Sequence, residues 1–258
     1  MSNFSVVIPV YRDDQELRGC LLALQPLALS EIIIVDSEQR SQPAHINNQF
    51  PNMNIHWLRA ARGRGPQIEA GIKAATQPII WVLHADNRPT AECIPEITRH
   101  LADPKTSLTC FPLAFRTQKF ALSLFALMSR IDSPVTTFGD QGYAFRRADY
   151  DTLDITLSDF PLLEDVALRS ALRRLGSVQK SNKRLLTSAR RFDRLGVWRT
   201  QLRNTGILLS YWRGASPATL HTRYYNPTRR TTLMSRLSWP VRRASMRVRA
   251  AGQKTVSD

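Results

Sequence analysis

Short apolar runs alternate with stretches of helical spacing through the first half of the chain. Ser5–Val10, Glu31–Asp36, Met53–Leu58 and Ile79–Leu83 read as strands, and Ile79–Leu83, bounded by Gln77-Pro78 and Asn87-Arg88-Pro89, has the pattern of a strand buried in a parallel sheet. Between them lie helical patterns. Asp13–Leu24 offers Asp13 or Asp14 as N-cap and has apolar residues at Leu17, Leu21, Leu22 and Leu24. Gly65–Ala75 carries Pro66 in its first turn, where a missing N–H costs nothing. Thr90–Leu101 has Thr90 and Glu92 near its start. Strands separated by helices imply βαβ units, a mostly parallel sheet and an α/β class.

The second half is less regular. Ser107–Phe115 and Gly142–Arg147 read as strands, and Lys119–Ile131 as a helix with a broad apolar surface. Leu162–Leu175 reads as a helix stopped by Gly176, Ser188–Phe192 as a loop, and Val197–Trp212 and Pro217–Tyr225 as helices. From Asn226 onward the chain is rich in Arg, Ser and Thr with sparse apolar residues. No internal repeat interrupts this order.

Composition adds a location and an asymmetry. With 43% hydrophobic and 22% charged residues the 258-residue chain is an ordinary globular one. Met-Ser-Asn-Phe-Ser lacks a basic leader and no run reaches the roughly 18 apolar residues of a spanning helix. Cys20, Cys93 and Cys110 are odd in number and far apart, as for reduced core thiols, so a cytoplasmic location is expected. Residues 1–180 carry 19 Lys and Arg against 19 Asp and Glu, whereas residues 181–258 carry 17 against 2, the whole net charge of +15. Such a basic third seeks anions, lipid phosphate among them, or is simply solvated.

The candidate chemistry gathers at strand ends. Ile79–Leu83 stops on His84-Ala85-Asp86, and ligands of open α/β sheets bind beyond the carboxyl ends of strands. A carboxylate there suits Mg²⁺ or Mn²⁺ shared with substrate phosphates; a lone strand-end acid also serves as a helix cap. Asp36 ends the second strand, and Pro9-Val10-Tyr11-Arg12-Asp13-Asp14 the first. Arg62-Gly63-Arg64-Gly65 precedes a helix N-terminus, where backbone amides and guanidinium groups favour an anion, although many such loops are only turns. Glu164 and Asp165 head another helix, where acids are favoured by the dipole and where one could also take a proton from a hydroxyl.

In order, Val6-Val7-Ile8-Pro9-Val10-Tyr11, Ile33-Ile34-Val35-Asp36, Arg62–Gly71, Leu83-His84-Ala85-Asp86, Gly139-Asp140-Gln141-Gly142, Leu163-Glu164-Asp165-Val166 and Ser188-Ala189-Arg190-Arg191-Phe192 resemble family 2 glycosyltransferases of GT-A fold over about residues 4–225. The His-Ala-Asp, Gly-Asp-Gln and Ser-x-Arg-Arg forms resemble a bacterial subgroup labelled as radical-SAM- or selenodomain-associated and sometimes assigned to arsenosugar biosynthesis. The resemblance implies a mixed, mostly parallel sheet flanked by helices. It also implies a nucleotide-binding half at about 1–105, an acceptor half at about 106–225 and a basic tail at 226–258. It implies metal-dependent, inverting hexosyl transfer from a nucleotide-diphosphate sugar. Pro9, Tyr11 and Asp36 would hold base and ribose, with Arg62 and Arg64 near the nucleotide. Asp86, with His84 beside it, would hold Mg²⁺ or Mn²⁺ against the diphosphate. Asp165, aided by Glu164, would be the general base, Asp140 and Gln141 would face the acceptor, and Arg190 and Arg191 would contact the diphosphate.

The sequence departs from the family pattern at Ser37-Glu38-Gln39, where a glycine turn is usual, at His84, which replaces an acid, and at Glu69, which stands for Asn and changes charge near the donor. Two other readings stay open, a non-catalytic nucleotide-sugar binder and a nucleotidyltransferase, although the latter usually has a glycine-rich loop after strand one and here Gly19 is the first glycine. Nucleic acid is not expected as a partner, because the basic tail lacks interleaved aromatics. Val197–Trp212 and Thr231–Val248, with Trp198, Trp212 and Trp239, suit attachment to an anionic membrane surface on the inner face of the cell membrane. An acceptor carried on a lipid would account for that attachment.

Overall fold

The computed structural model describes residues 2–37, 43–116, 119–190 and 196–225. The first half comprises β1 (Ser2–Val10), α1 (Asp14–Leu24), β2 (Leu29–Asp36), α2 (Pro43–Gln49), β3 (Ile55–Arg59), α3 (Arg64–Ala74), β4 (Ile79–Val82) and α4 (Cys93–Leu101). The second comprises β5 (Thr106–Cys110), β6 (Leu113–Phe115), α5 (Phe120–Met128), β7 (Tyr143–Arg146), α6 (Arg147–Asp151), α7 (Glu164–Leu172), β8 (Ser177–Lys180), β9 (Leu185–Thr187), α8 (Val197–Trp212) and α9 (Pro217–Tyr225).

Seven strands form one mixed sheet in the order β3-β2-β1-β4-β7-β5-β8, and β6 pairs with β9 beside it. The pairs β1–β2, β1–β4, β2–β3 and β5–β8 are parallel, while β7 runs antiparallel to both β4 and β5. The chain passes from β1 to β2 and β3 on one side, then crosses back to place β4 on the other. This reversal of direction opens a crevice at the carboxyl ends of β1 and β4.

The central strands β1, β2 and β4 are largely apolar because both faces are covered. On β1, Val6, Ile8 and Val10 meet Leu17, Cys20 and Leu21 of α1, while Val7 turns to the opposite face with Ile33, Val35 and Ile72. Trp81 and Leu83 join the first core and Ile80 and Val82 the second, as the period of two requires. Gly71 lets α3 close onto the sheet, since a Cβ there would lie 2.3 Å from Val7 Cγ1. Gly65 lets α3 meet the turn at Leu157–Asp159, where a Cβ would lie 2.1 Å from the Leu157 carbonyl oxygen.

The α/β class and mixed sheet expected from the pattern are present, with three local differences. The apolar run 107–115 is split into β5 and β6, which lie in different sheets, since Pro112 between them has no N–H for a ladder. Helices α2 and α6 and strands β8 and β9 were not anticipated. Asp13 is the N-cap of α1 by position but makes no capping bond; its carboxylate is taken by Arg190. The tail 226–258, with Trp239, and Arg191 lie outside the described residues.

Candidate active site

Antiparallel β7 explains how distant segments meet. Its register pairs Val82 with Tyr143, so the lead-in Gly139–Gly142 arrives beside Leu83–Asp86 at the edge where β1 and β2 end. Asn87 fastens the two segments. Its Oδ1 accepts the His84 backbone N–H at 2.8 Å and its Nδ2 donates to the Asp140 carbonyl at 3.1 Å. Gly142, at φ 65°, turns the chain into β7 against Trp81 and Leu83. A Cβ on Gly139 would lie 2.9 Å from Asp165 Cβ and 3.5 Å from His84 Nε2, so only glycine lets the three motifs close together.

Asp165 is held at the head of α7. Its Oδ2 accepts the Gly139 N–H and its Oδ1 the Val166 N–H, each at 2.8 Å. A carboxylate has about four lone-pair sites, so each oxygen keeps one for a hydroxyl. Leu163, just before, adopts φ 67°, a costly conformation for a branched residue and one that persists only where packing enforces it. That packing comes from α8 and α9, whose Ile207, Leu220 and Tyr224 seat Leu162 and Leu163.

The carboxylates perturb one another. Burial, then the charges of Asp165 and Asp86, push Asp140 up to about 7. Burial, then Asp165, push Glu164 up to about 8. Burial also raises Asp86, while Arg64 opposes the shift. Arg64 is thus the cation that His84, Asp86, Asp140 and Glu164 all sense. His84 is driven well below its ordinary value by burial and by Arg64, so its imidazole is neutral.

On the β1–β2 side, Asp36 is buried and stands in register beside Val10. Gln67 of α3 donates to the Val10 carbonyl at 2.6 Å and the Val35 carbonyl at 2.7 Å, clamping the two strand ends together. Arg62 lies 4.6 Å above the Tyr11 ring, and its charge helps depress His221 of α9, so the C-terminal helices reach this edge. Pro9 is half-buried on β1. Arg190 binds Asp13 through two contacts at 2.8 and 3.0 Å and Glu16 at 3.2 Å, and the charges of Glu16 and Asp13 add to the rise of Asp86.

Two residues sit differently from the expectation. Gln141 is buried, with Nε2 donating to the Thr136 carbonyl at 2.5 Å and Oε1 accepting from Lys180, so its amide is consumed within the protein and it supports the floor of the site. Glu69 pairs with Lys73 and accepts the Ser158 N–H at 2.6 Å, so it fixes α3 to the neighbouring turn instead of presenting charge to a donor. Sequence reading passed over Asn87 as a turn residue, Gln67 as part of a loop motif, and Lys180 altogether. Only the polarity of Asn87 and Gln67 beside apolar strand ends could have marked them.

Among the described residues no group of three or more His, Cys, Asp or Glu side chains forms a metal cage. A cation bound with a nucleotide diphosphate needs less from the protein, since phosphate and water supply most of its oxygen ligands. Asp86 and the buried, unpartnered Oδ1 of Asp140 fit that demand.

A parallel half-sheet with its crevice beside β1 and β4, and an acidic turn delivered by one antiparallel strand, defines an α/β domain of the GT-A type. The chain belongs to glycosyl transferase family 2, whose profile matches residues 5–154. No curated protein sequence matches it. Among solved structures it resembles Staphylococcus aureus TarS 1–349 in complex with UDP-GlcNAc at TM-score 0.57 and 15% identity, covering 73% of this chain and 58% of that one. It therefore spans under two thirds of that staphylococcal chain. It also resembles the mannosyltransferase PcManGT of Pyrobaculum calidifontis, in complex with GDP-Man and Mn2+, at TM-score 0.61 and 17% identity, covering 86% and 69% of the two chains. Glucosyl-3-phosphoglycerate synthase of Mycobacterium tuberculosis, with phosphoglyceric acid, matches at TM-score 0.55 and 17% identity, covering 80% and 79%.

Proposed function

We propose that this protein transfers a sugar from a nucleoside-diphosphate sugar to an acceptor hydroxyl with inversion at the sugar carbon. The observation that carries the reading is the meeting at the carboxyl edge of the sheet of Asp86, Asp140 and Glu164, all within the field of Arg64, with Asp165, which is hydrogen-bonded to Gly139 beside Asp140. Residues at about 1–105 form the donor half and those at about 106–225 the acceptor half. Tyr11, Pro9 and Asp36 receive the base and ribose, and Arg62 stacked on Tyr11 borders that pocket. Asp86, with Asp140 beside it and neutral His84 behind, would hold Mg²⁺ or Mn²⁺. When bound, the ion neutralises the charge that develops on the leaving diphosphate. PcManGT, which shares the fold and is named with GDP-Man and Mn2+, supports that choice.

Asp165 takes the proton from the acceptor hydroxyl as that oxygen attacks the sugar carbon and the bond to the diphosphate breaks. The backbone N–H groups of Gly139 and Val166 orient its two oxygens. Glu164, buried and protonated near neutrality, adds no second negative charge beside it. Arg64 faces the donor phosphates, Arg190 is steered toward them by Asp13 and Glu16, and Arg191 adjoins it in sequence. Gln141 acts through Lys180 and Thr136 as a positioning residue. Within the family, His84-Ala85-Asp86, Gly139-Asp140-Gln141 and Ser188-Ala189-Arg190-Arg191 support membership of the radical-SAM-associated subgroup. The basic C-terminal third supports work at an anionic membrane surface on a lipid-carried acceptor.

A screen of nucleotide-sugars for hydrolysis with Mn²⁺ or Mg²⁺ tests the reading. At least one donor should be cleaved by the wild type. A protein that binds nucleotide-sugar but releases no nucleotide with any donor or ion would refute it.

A further inference from the structure

Helix α5 turns its apolar side outward. Phe120 is 86% exposed, Leu127 57%, Ile131 63% and Val135 50%, with Leu124 and Met128 also open. Phe120, Leu124, Leu127 and Met128 are spaced so that they share one face of the helix, while the opposite side buries Leu122. A contiguous stripe of this kind marks an interaction surface, whereas scattered exposed apolar residues would not. Its edge is cationic: Lys119 just before the helix and Arg130 just after it flank the stripe, both exposed. From Leu113 to Ile131 the sequence carries no Asp or Glu. The first acid after it, Asp132, is engaged by Arg169 at 2.6 Å. Behind the stripe, a cleft of about 340 Å³ is floored by Ala114, Leu122 and Ala126 and edged by Arg130 and Arg184.

We propose that α5 and the following turn dock onto an anionic lipid bilayer, with Phe120, Leu124, Leu127 and Ile131 entering the acyl boundary and Lys119, Arg130 and Arg184 meeting lipid phosphates. The helix is a surface element, because no helix among the described residues is long and apolar enough to cross a membrane. An apolar face with a basic border suits such an interface, and basic residues at the surface are attracted to anionic headgroups. A second copy of the chain fits less well. In a twofold contact the basic border would meet itself, and like charges so placed are costly.

The surface is coupled to the site. Residues 131–137 run directly from α5 to Gly139 and Asp140. They are braced by Asp132 on Arg169 of α7, by the Tyr143 hydroxyl donating to the Thr137 carbonyl, and by Gln141 on the Thr136 carbonyl. Docking α5 would therefore set the acceptor side of the crevice at the lipid headgroups. That consequence, a membrane-borne acceptor, rests on the sugar-transfer reading; the docking itself does not.

The test uses the full chain. An environment-sensitive dye on Leu124→Cys reports from the stripe itself, and the native Cys20, Cys93 and Cys110 are buried and spared. Vesicles of phosphatidylcholine with phosphatidylglycerol should shift its emission to the blue, and phosphatidylcholine alone should do so far less. Phe120→Ser with Leu127→Ser should lower the partition constant onto the anionic vesicles about a hundredfold, roughly tenfold for each large apolar side chain withdrawn. An unshifted dye overturns the proposal whatever the tail contributes to sedimentation. So does gel filtration showing a stable dimer that the same double substitution dissolves, since the face would then belong to a second copy. Nucleotide-sugar hydrolysis in solution reports on sugar transfer separately and should match the wild type in the double variant.

Discussion

At the scale of single residues, the paired acids heading α7 have opposite assignments that one pair of substitutions separates. Asp165→Asn keeps the shape and one of the two backbone contacts, since its amide nitrogen cannot accept an N–H, and it cannot take a proton, so it should bind nucleotide-sugar much as the wild type does and lose about a hundredfold or more of kcat. Glu164→Gln imitates the protonated acid already present near neutrality and should keep most turnover. Equal activity in the two variants would remove Asp165 from its role. Asp86→Ala should instead weaken donor binding, seen as a raised donor KM. Glu164 also sets a pH dependence. Its folded pKa, about 8, lies above the ordinary 4.5, so the folded state binds the proton more tightly. The stability this contributes is complete below pH 4.5 and is lost as pH rises toward 8, by on the order of 1 kcal/mol per unit. Urea unfolding at several pH values should show the wild type weakening against Glu164→Gln across that window and a constant gap above it. The acids at strand ends were legible in the sequence because several apolar runs close on a carboxylate, although each alone could have been a helix cap. The mates that hold them were not: Asn87, Gln67 and Lys180 act through contacts 53, 57 and 39 residues away.

Elements were legible in proportion to how much apolar surface each one buries. The strands β1, β2 and β4 and the helices α1, α3, α8 and α9 follow from pattern because their contacts repeat at a fixed period. β8, Ser177–Lys180, has one buried residue in four, and β9 has three residues, so neither has a period to read. Strand direction was equally hidden. Nothing in Tyr143–Arg146 says that it runs against β4, yet that reversal is what carries Asp140 to the site. Helix α3 gives a test at this scale. Its first turn presses on backbone at Leu157 and Phe160, which cannot swing aside as a side chain can. Gly65→Ala should therefore cost about 1–3 kcal/mol by forcing α3 off the turn. It should also loosen the Gln67 clamp, lowering Tm and weakening donor binding together. A variant with unchanged Tm would show that the contact relaxes freely.

Across the whole molecule, the question is what holds a catalytic turn in a strained form. Leu163 at φ 67° sits between the α8–α9 pair and the acids of α7, and its conformation pays for itself only if the pair stays packed. Leu220 is the fully buried centre of that packing, and Leu202, 74% exposed on the same pair, is its control. Leu220→Ala should destabilise the C-terminal pair by about 2–5 kcal/mol, whereas Leu202→Ala should stay within about 0.5 kcal/mol. If the pair only adds stability, kcat of the Leu220 variant measured well below its Tm should equal that of the wild type. If it enforces the turn, Leu163 relaxes, Asp165 loses its alignment with the Gly139 N–H, and kcat falls although Leu220 touches no substrate. A fall in kcat with full folding, absent in the Leu202 control, would show that the C-terminal helices shape the active site from behind.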